Sequence, residues 1–285
     1  ALGITDMMKF RQIRSAAISD DGNWVVHSAV PDRGDPGLFI YSSDGKKKYT
    51  IPRGEKPILS ANGKWVAAVH TLPAEEIIDK PEKSREPKTG LILCNTSTGE
   101  SITYDTIQSF GFSNNSKRLF YHSSKKAESG EKEKTKEKED EKKRAEGKNV
   151  GSTLNIRSLD EAVNLVYPFV TKYAVDSISK NLAYVVADTG GNGNGVFLLD
   201  LMDPSSPSIC IYADSGAWAD NLSWNNKTGD LAFLAGTSGK EDKREDARLF
   251  IWSDGETEAN AVLDDSHLAG NTDLTGDWTI YHTNK

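Results

Sequence analysis

Long hydrophobic runs are absent from this 285-residue chain: no stretch approaches the roughly 18 apolar residues that carry a helix across a bilayer. Its first residues show no basic segment followed by an apolar one, so the expectation is a soluble chain with no visible address. Cysteine is scarce. Two residues, Cys94 and Cys210, exclude a disulfide-dense scaffold, a four-thiolate zinc site and an iron–sulfur cluster. Each lies in a strand-like run and is expected as a buried free thiol. Excess positive charge is lacking too. Lys and Arg number 35 against 42 Asp and Glu, a net charge of −7, which argues against a general nucleic-acid binder, whose affinity rests on neutralising phosphates.

The chain also lacks the motifs of catalysis. No Gly-x-Ser-x-Gly pentapeptide is present to place a serine nucleophile on a strand-to-helix elbow. Ser152, Ser129, Ser215 and Ser238 adjoin glycines, but none has the apolar strand and elbow that the chemistry requires. The catalytic set expected within this chain is therefore none. Five histidines, His27, His70, His122, His267 and His282, include no pair at the helical His-x-x-x-His spacing of zinc sites. His27, His70 and His122 each follow a strand start by three to five residues; the reading preferred to a metal ring is strand-end polar residues facing solvent or a channel. The loop Thr189-Gly190-Gly191-Asn192-Gly193-Asn194-Gly195 matches a phosphate cradle in glycine count only, since no Lys-Ser or helix start follows it. No full calcium-loop template occurs, and no metal or cofactor is expected.

What the chain does have is a repeat, a polar turn followed by an alternating apolar strand. Ile18-Ser19-Asp20-Asp21-Gly22-Asn23-Trp24-Val25-Val26 and Leu59-Ser60-Ala61-Asn62-Gly63-Lys64-Trp65-Val66-Ala67 are near copies, and Phe112-Ser113-Asn114-Asn115-Ser116-Lys117-Arg118-Leu119-Phe120 is a third. Weaker copies run from Val175 to Tyr184 and from Leu222 to Phe233. The serine and the first large apolar residue of the strand are the fixed points. Asp-Gly and Asn-Gly tolerate positive φ and their neighbours' side chains bond nearby amides, so each copy reads as a hairpin.

Counted from Trp24, Trp65, Leu119, Leu182 and Leu231, the spacings are 41, 54, 63 and 49 residues, near the roughly 40–50 of four-stranded propeller blades. A second apolar strand and turn recurs between them, at Gly37–Gly45, Gly90–Gly99, Thr153–Leu159, Gly195–Leu201 and Arg248–Gly255. Two hairpins per period predict an all-β chain, a β-propeller with about five blades over residues 1–285. The tryptophans fall mostly at strand positions and read as core. Helix is confined to a short segment at about 5–13, capped by Thr5, and one turn over Pro73–Asp79.

Residues 125–148 hold ten Lys or Arg and eight Asp or Glu, with Ala127 and Ala145 the only apolar side chains. Such a segment supplies no core and reads as a charged loop expansion between two strands, which also accounts for the longest spacing. On the helical turn, Glu75 and Glu76 are the candidate substrate-binding pair, two acids suited to a peptide's α-ammonium.

Ile4-Thr5-Asp6-Met7-Met8, followed by the Ser19-Asp20-Asp21-Gly22-Asn23-Trp24 turn, resembles the opening of the propeller domain in prolyl oligopeptidase family serine peptidases, the group including dipeptidyl and acylaminoacyl peptidases. There a threonine-capped helix precedes a Ser-Pro-Asp-Gly-Lys-type turn; here Asp20 stands where proline is frequent. The resemblance implies a seven- or eight-bladed propeller preceding an α/β-hydrolase domain, filtering peptides by size and positioning them while the acyl transfer belongs to the hydrolase domain. This chain is then expected to be a noncatalytic portion, ended before that domain, with peptide substrate and hydrolase domain as partners and Glu75 and Glu76 as loose counterparts of the family's acid pair. The expected compartment is the periplasm or the outside, since a chain opening Ala1-Leu2 with no initiator methionine is consistent with removal of a signal peptide. No nucleic acid or membrane span is expected, and homo-oligomerisation is left open. The alternative is a self-contained five-bladed propeller binding a protein or a sugar.

Overall fold

In the computed structural model, residues 3, 10–78, 89–126, 150–161, 163–238 and 244–263 are described. The turn chemistry read from the repeat builds the frame. In the first copy the Trp24 N–H donates to Ser19 Oγ at 3.0 Å and the Ser19 N–H donates to the Trp24 carbonyl at 2.9 Å. The serine hydroxyl in turn donates to Asp21 at 2.5 Å, closing the turn from inside. Ser60 repeats this with Trp65 at 3.0 Å and Asn62 at 2.8 Å, and Ser113 with Arg118 at 2.9 Å and Asn115 at 2.8 Å. The residue three places after each of these serines has positive φ: Gly22 at 69°, Gly63 at 66° and Ser116 at 57°. Glycine reaches that region without a Cβ penalty; the serine in the third copy bears it.

The two weaker copies keep the geometry and change the residue. Asp176, not a serine, anchors the fourth turn, its two carboxylate oxygens accepting the Lys180 and Asn181 amides at 2.8 Å each. Asn225 anchors the fifth, its N–H donating to the Asp230 carbonyl at 2.8 Å and its side chain accepting the Lys227 amide at 3.0 Å. The requirement is thus a short side-chain acceptor, which serine, aspartate and asparagine each meet.

The chain divides into two compact units, residues 1–125 with 155–166, and residues 126–154 with 167–285. In the first unit, β1 (Arg11–Ile18), β2 (Trp24–Pro31), β3 (Gly37–Ser42) and β4 (Lys48–Pro52) form blade 1 in sequence order. Blade 2 repeats the order with β5 (Gly54–Leu59), β6 (Trp65–His70), β7 (Gly90–Asn95) and β8 (Ser101–Tyr104). Blade 3 follows with β9 (Ile107–Phe112), β10 (Arg118–Lys126), β11 (Ser152–Ser158) and the first residues of β12 (Asn164–Val175). Blades 1 and 2 pack through Val26, Leu38 and Ile40 against Val66, Ala68 and Cys94. Blades 2 and 3 pack through Ala67, Leu91 and Leu93 against Ile107, Leu119 and Tyr121.

In the second unit the later residues of β12 pair with β13 (Asn181–Val186), which leads to β14 (Gly195–Asp200) and β15 (Ile209–Ala213). Blade 5 is β16 (Ala217–Trp224), β17 (Leu231–Ser238), β18 (Arg244–Trp252) and β19 (Asn260–Leu263). Their joint core sets Ala183, Val185, Val196 and Leu198 against Trp224, Leu231, Phe233, Phe250 and Trp252. The fold is all-β and of the β-propeller kind: among the described residues three blades are separate four-stranded antiparallel sheets, while the third and fourth share the long strand β12 in one seven-stranded sheet. The first strand of blades 1, 2, 4 and 5 carries a β-bulge, between Ile13 and Ser15, Glu55 and Ile58, Val170 and Lys172, and Asp220 and Ser223. Each bulge bends its strand and increases the local twist.

Two expectations change. Of the helix at about 5–13, residues 4–9 lie outside the described residues, and Arg11–Ile13 are strand, held in register with Ala29–Pro31 of β2. The single helix among the described residues is α1 (Ala74–Ile78), inside the turn expected over Pro73–Asp79. Cys94 is buried as expected, but Cys210 is exposed. It lies on β15, the outer strand of its blade, where a register shift beside Phe197 turns Ile211 inward and Cys210 out. The charged segment leaves β10 and returns before β11; its residues 127–149 lie outside the described residues, as do His267, His282 and Trp278.

Candidate functional site

Three of the sequence candidates, His70, Glu75 and Glu76, follow one another along the chain where β6 ends. His70 is the last residue of β6, paired with Gly54 on one side and Gly90 on the other. Any Cβ at Gly90 would stand 2.5 Å from the Tyr104 carbonyl and 3.4 Å from the His70 Cβ, so glycine is what lets the two strands close on the histidine. Burial lowers the His70 pKa, the Arg53 charge lowers it further, and Asp105 opposes both. Arg53 itself is held at φ 60°, and its carbonyl accepts the Thr71 N–H at 2.9 Å. The chain then enters α1. The Ala74 N–H donates to Asp35 Oδ1 at 2.7 Å, so the β2–β3 connection of blade 1 supplies the cap for a helix that blade 2 carries.

Glu75 and Glu76 are side by side in the first turn of α1, both exposed. Acids at that position are favoured by the partial positive charge of the helix start. The structure therefore places the predicted pair on a solvent-facing rim, a few residues after His70 and tied to the neighbouring blade through Asp35.

The other histidines do not join them. His27 lies within β2, stacked on Phe39 at 5.0 Å and Tyr41 at 5.7 Å between ring centroids, and His122 is buried in β10 opposite Ser109. They stand at different depths of their strands, and two of the three are not at a strand end. Among the described residues no three His, Cys, Asp or Glu side chains gather to hold a metal ion. In the glycine-rich loop the Gly191 and Gly193 amides donate to the Asp188 carboxylate, so amides that a phosphate would need are taken by the chain's own acid.

A polar cluster between blades 2 and 3 escaped the sequence reading. Tyr104 and Tyr121 lie with ring centroids 4.7 Å apart. Burial pushes the Tyr121 phenol up to about 12, with Tyr104 adding to the rise and the Arg157 guanidinium opposing it. Arg157 acts on Tyr104 as well, yet the Tyr104 hydroxyl and Arg157 Nε are both buried without a completed hydrogen bond. The only trace in the sequence is an arginine interrupting the apolar run of β11.

No family model matches the chain, and no curated protein matches it. Solved structures do resemble it. The β-propeller domain of the Trilobed protease from Pyrococcus furiosus is 12% identical, with 90% of this chain and 72% of that one covered, at a TM-score of 0.45. Pyrococcus horikoshii acylaminoacyl peptidase is 15% identical, with 91% of this chain and 40% of that one covered, at a TM-score of 0.41. An oligogalacturonate lyase in complex with manganese is 12% identical, with 90% and 67% covered, at a TM-score of 0.47. The chain is thus similar to propeller domains of peptidases, and at the same level to a lyase. This chain spans well under half the length of the acylaminoacyl peptidase.

Proposed function

We propose that the chain is the propeller portion of a prolyl oligopeptidase family serine peptidase, noncatalytic by itself, which admits and positions short peptides for an α/β-hydrolase domain outside these residues. The observation that carries the reading is the repeat: one anchor turn, held by serine, aspartate or asparagine, recurs five times, with the opening residues Ile4–Met8 and the Ser19–Trp24 turn in the order that the family uses. In this reading Glu75 and Glu76 receive the α-ammonium of the peptide, their exposed rim position leaving them open to it. The hydrolase domain supplies nucleophile, base and oxyanion donors; the propeller contributes exclusion and orientation, which lower the entropic part of the barrier. Its proposed compartment is the periplasm or the outside, a placement that cell fractionation tests.

Titration of the chain with short unblocked peptides tests the recognition step. A Glu75→Gln, Glu76→Gln double variant should bind about tenfold more weakly, a loss of roughly 1.4 kcal/mol, while amino-terminally acetylated peptides should not distinguish variant from parent. Equal binding by both proteins sinks the assignment of the pair. The alternative, a self-contained module for protein or sugar, calls for binding of those ligands by this chain with no dependence on Glu75 or Glu76.

A further inference from the structure

One hydrogen bond, repeated from blade to blade, brings equivalent positions of the third strands into line. The Thr96, Leu159 and Leu201 amides donate to the Lys64, Lys117 and Lys180 carbonyls, tying the end of the third strand to the anchor turn in blades 2, 3 and 4. Two residues earlier on those strands stand Cys94, Arg157 and Leu199. Cys94 is fully buried and Leu199 nearly so, both as members of the core. Blade 3 therefore sets a guanidinium at a position that blades 2 and 4 give to a small or aliphatic side chain. That guanidinium acts on Tyr104 of blade 2 and on Tyr121 of its own blade.

Taking an arginine out of water costs its hydration, and the usual offset is a carboxylate. Arg157 has none: no ion pair among the described residues includes it, and no acid is among the groups that act on the two phenols beside it. The phenols do not fill the gap. A guanidinium carries five N–H donors and no acceptor, and a phenol that accepts from it still has its own hydrogen to give. Burial raises both phenols, Tyr121 to about 12, so each stays a protonated donor at neutral pH. Arg157 Nε and the Tyr104 hydroxyl are closed to solvent with neither bond completed. What the place wants is an acceptor, and the uncompensated charge makes it a negative one. A water molecule would bring two more hydrogens and no charge.

We propose that Arg157 Nε and the Tyr104 hydroxyl, walled by the Tyr121 ring, form a binding site for a single halide ion, chloride in ordinary solution, that fastens blade 3 to blade 2. The two rings stand with centroids 4.7 Å apart, which leaves no slot between them for a peptide or a phosphate ester and fits the site to a monatomic anion. All three residues belong to the first unit, so the site needs nothing from the second, and no part of the peptidase reading enters it.

Thermal melting of the 285-residue chain in sodium chloride and in sodium gluconate at equal ionic strength tests it. Chloride at about 0.1 M should raise Tm by roughly 3 °C over gluconate, and bromide should do the same. Arg157→Gln should abolish that increment and Tyr104→Phe should cut it by half or more, whatever either change does to Tm in gluconate. Because a variant can fail to fold, the parent supplies a second reading: anomalous scattering from its crystals in bromide should place an ion against Arg157 Nε and the Tyr104 hydroxyl. A parent Tm that is the same in chloride and gluconate overturns the proposal. So does an increment that persists in Arg157→Gln, since chloride then acts elsewhere on the chain. Water in place of bromide at those two atoms, or a Tyr104→Phe loss that is equal in both salts, shows the donors serving a neutral partner and overturns it as well.

Discussion

The first two anchor turns are near copies in sequence and carry the same hydrogen bonds, yet they live under different loads. Ser19 and Ser60 hold their turns with matching bonds, 3.0 Å from the Trp24 and Trp65 amides. Around them the surroundings diverge. A Cβ on Gly22 would meet nothing within 4 Å, whereas one on Gly63 would stand 3.2 Å from the Ser19 Cβ and 3.3 Å from the Trp24 ring. The second turn is packed against the first and linked onward, its Asn62 N–H donating to Ser116 Oγ at 2.9 Å. Local sequence decides the turn; the adjoining blade decides what a change there costs.

Substitutions made in parallel at the two copies turn this contrast into numbers. The largest gap is expected between Val66→Ala, at about 2.5 kcal/mol for a cavity in a closed interface, and Val25→Ala, at about 0.5. Denaturant midpoints with unchanged slopes would measure both, and equal losses would erase the distinction. Next come the glycines. Both have positive φ, so Gly22→Ala should cost about 1 kcal/mol, and Gly63→Ala about 2 because crowding is added to strain. Ser19→Ala and Ser60→Ala should cost nearly the same, about 1 kcal/mol each, since the bonds lost are alike; a wide split would mean that the turns differ in more than their neighbours.

Acid gives the smallest effect and the most selective. Asp21 in the first turn is lowered from its ordinary pKa by the Ser19 hydroxyl and then by the Asn23 amide, and Asp44 in the β3–β4 hairpin falls to about 2 through Ser42 and then Lys46. A carboxyl with a depressed folded-state pKa contributes stability above its unfolded value near 3.8 and loses it as pH falls through the folded value. As pH falls from about 4 to 2 the Lys46 amide should lose exchange protection, and the Asn23 amide should lose its own below the ordinary carboxylate range. The second turn holds Asn62 where the first holds Asp21, so the Lys64 amide, bonded to Asn62 Oδ1 at 3.1 Å, should be unaffected. Equal loss at both turns would point to global unfolding instead.

How much of this was legible in the sequence follows from which interactions are local. Blades could be counted because a hairpin's turn chemistry lies within six residues, as from Ser19 to Trp24. A serine rule does not reach the fourth and fifth anchors, because the turn selects an acceptor rather than serine and Asp176 and Asn225 hold those turns. A strand-like run makes Cys210 look like core, but it does not announce which of the strand's faces is covered, and Cys210 is exposed. The stacking of His27 on Phe39 and the meeting of Tyr104, Tyr121 and Arg157 join different strands or different blades, a relation that periodicity within one strand does not encode. For the rim the pattern supplied Glu75 and Glu76 but not Asp35, whose capping of α1 spans 39 residues.

The two thiols carry a practical consequence. Cys94 is enclosed in the first unit, its thiol pushed up to about 11 by burial, while Cys210 faces solvent in the second. Partial burial raises the Cys210 thiol too, so what separates the two is access: an alkylating reagent would mark Cys210 first and wait on Cys94 until blade 2 opens. The slow label is a built-in clock for the loosening of blade 2, and the fast one reports that the reagent is live.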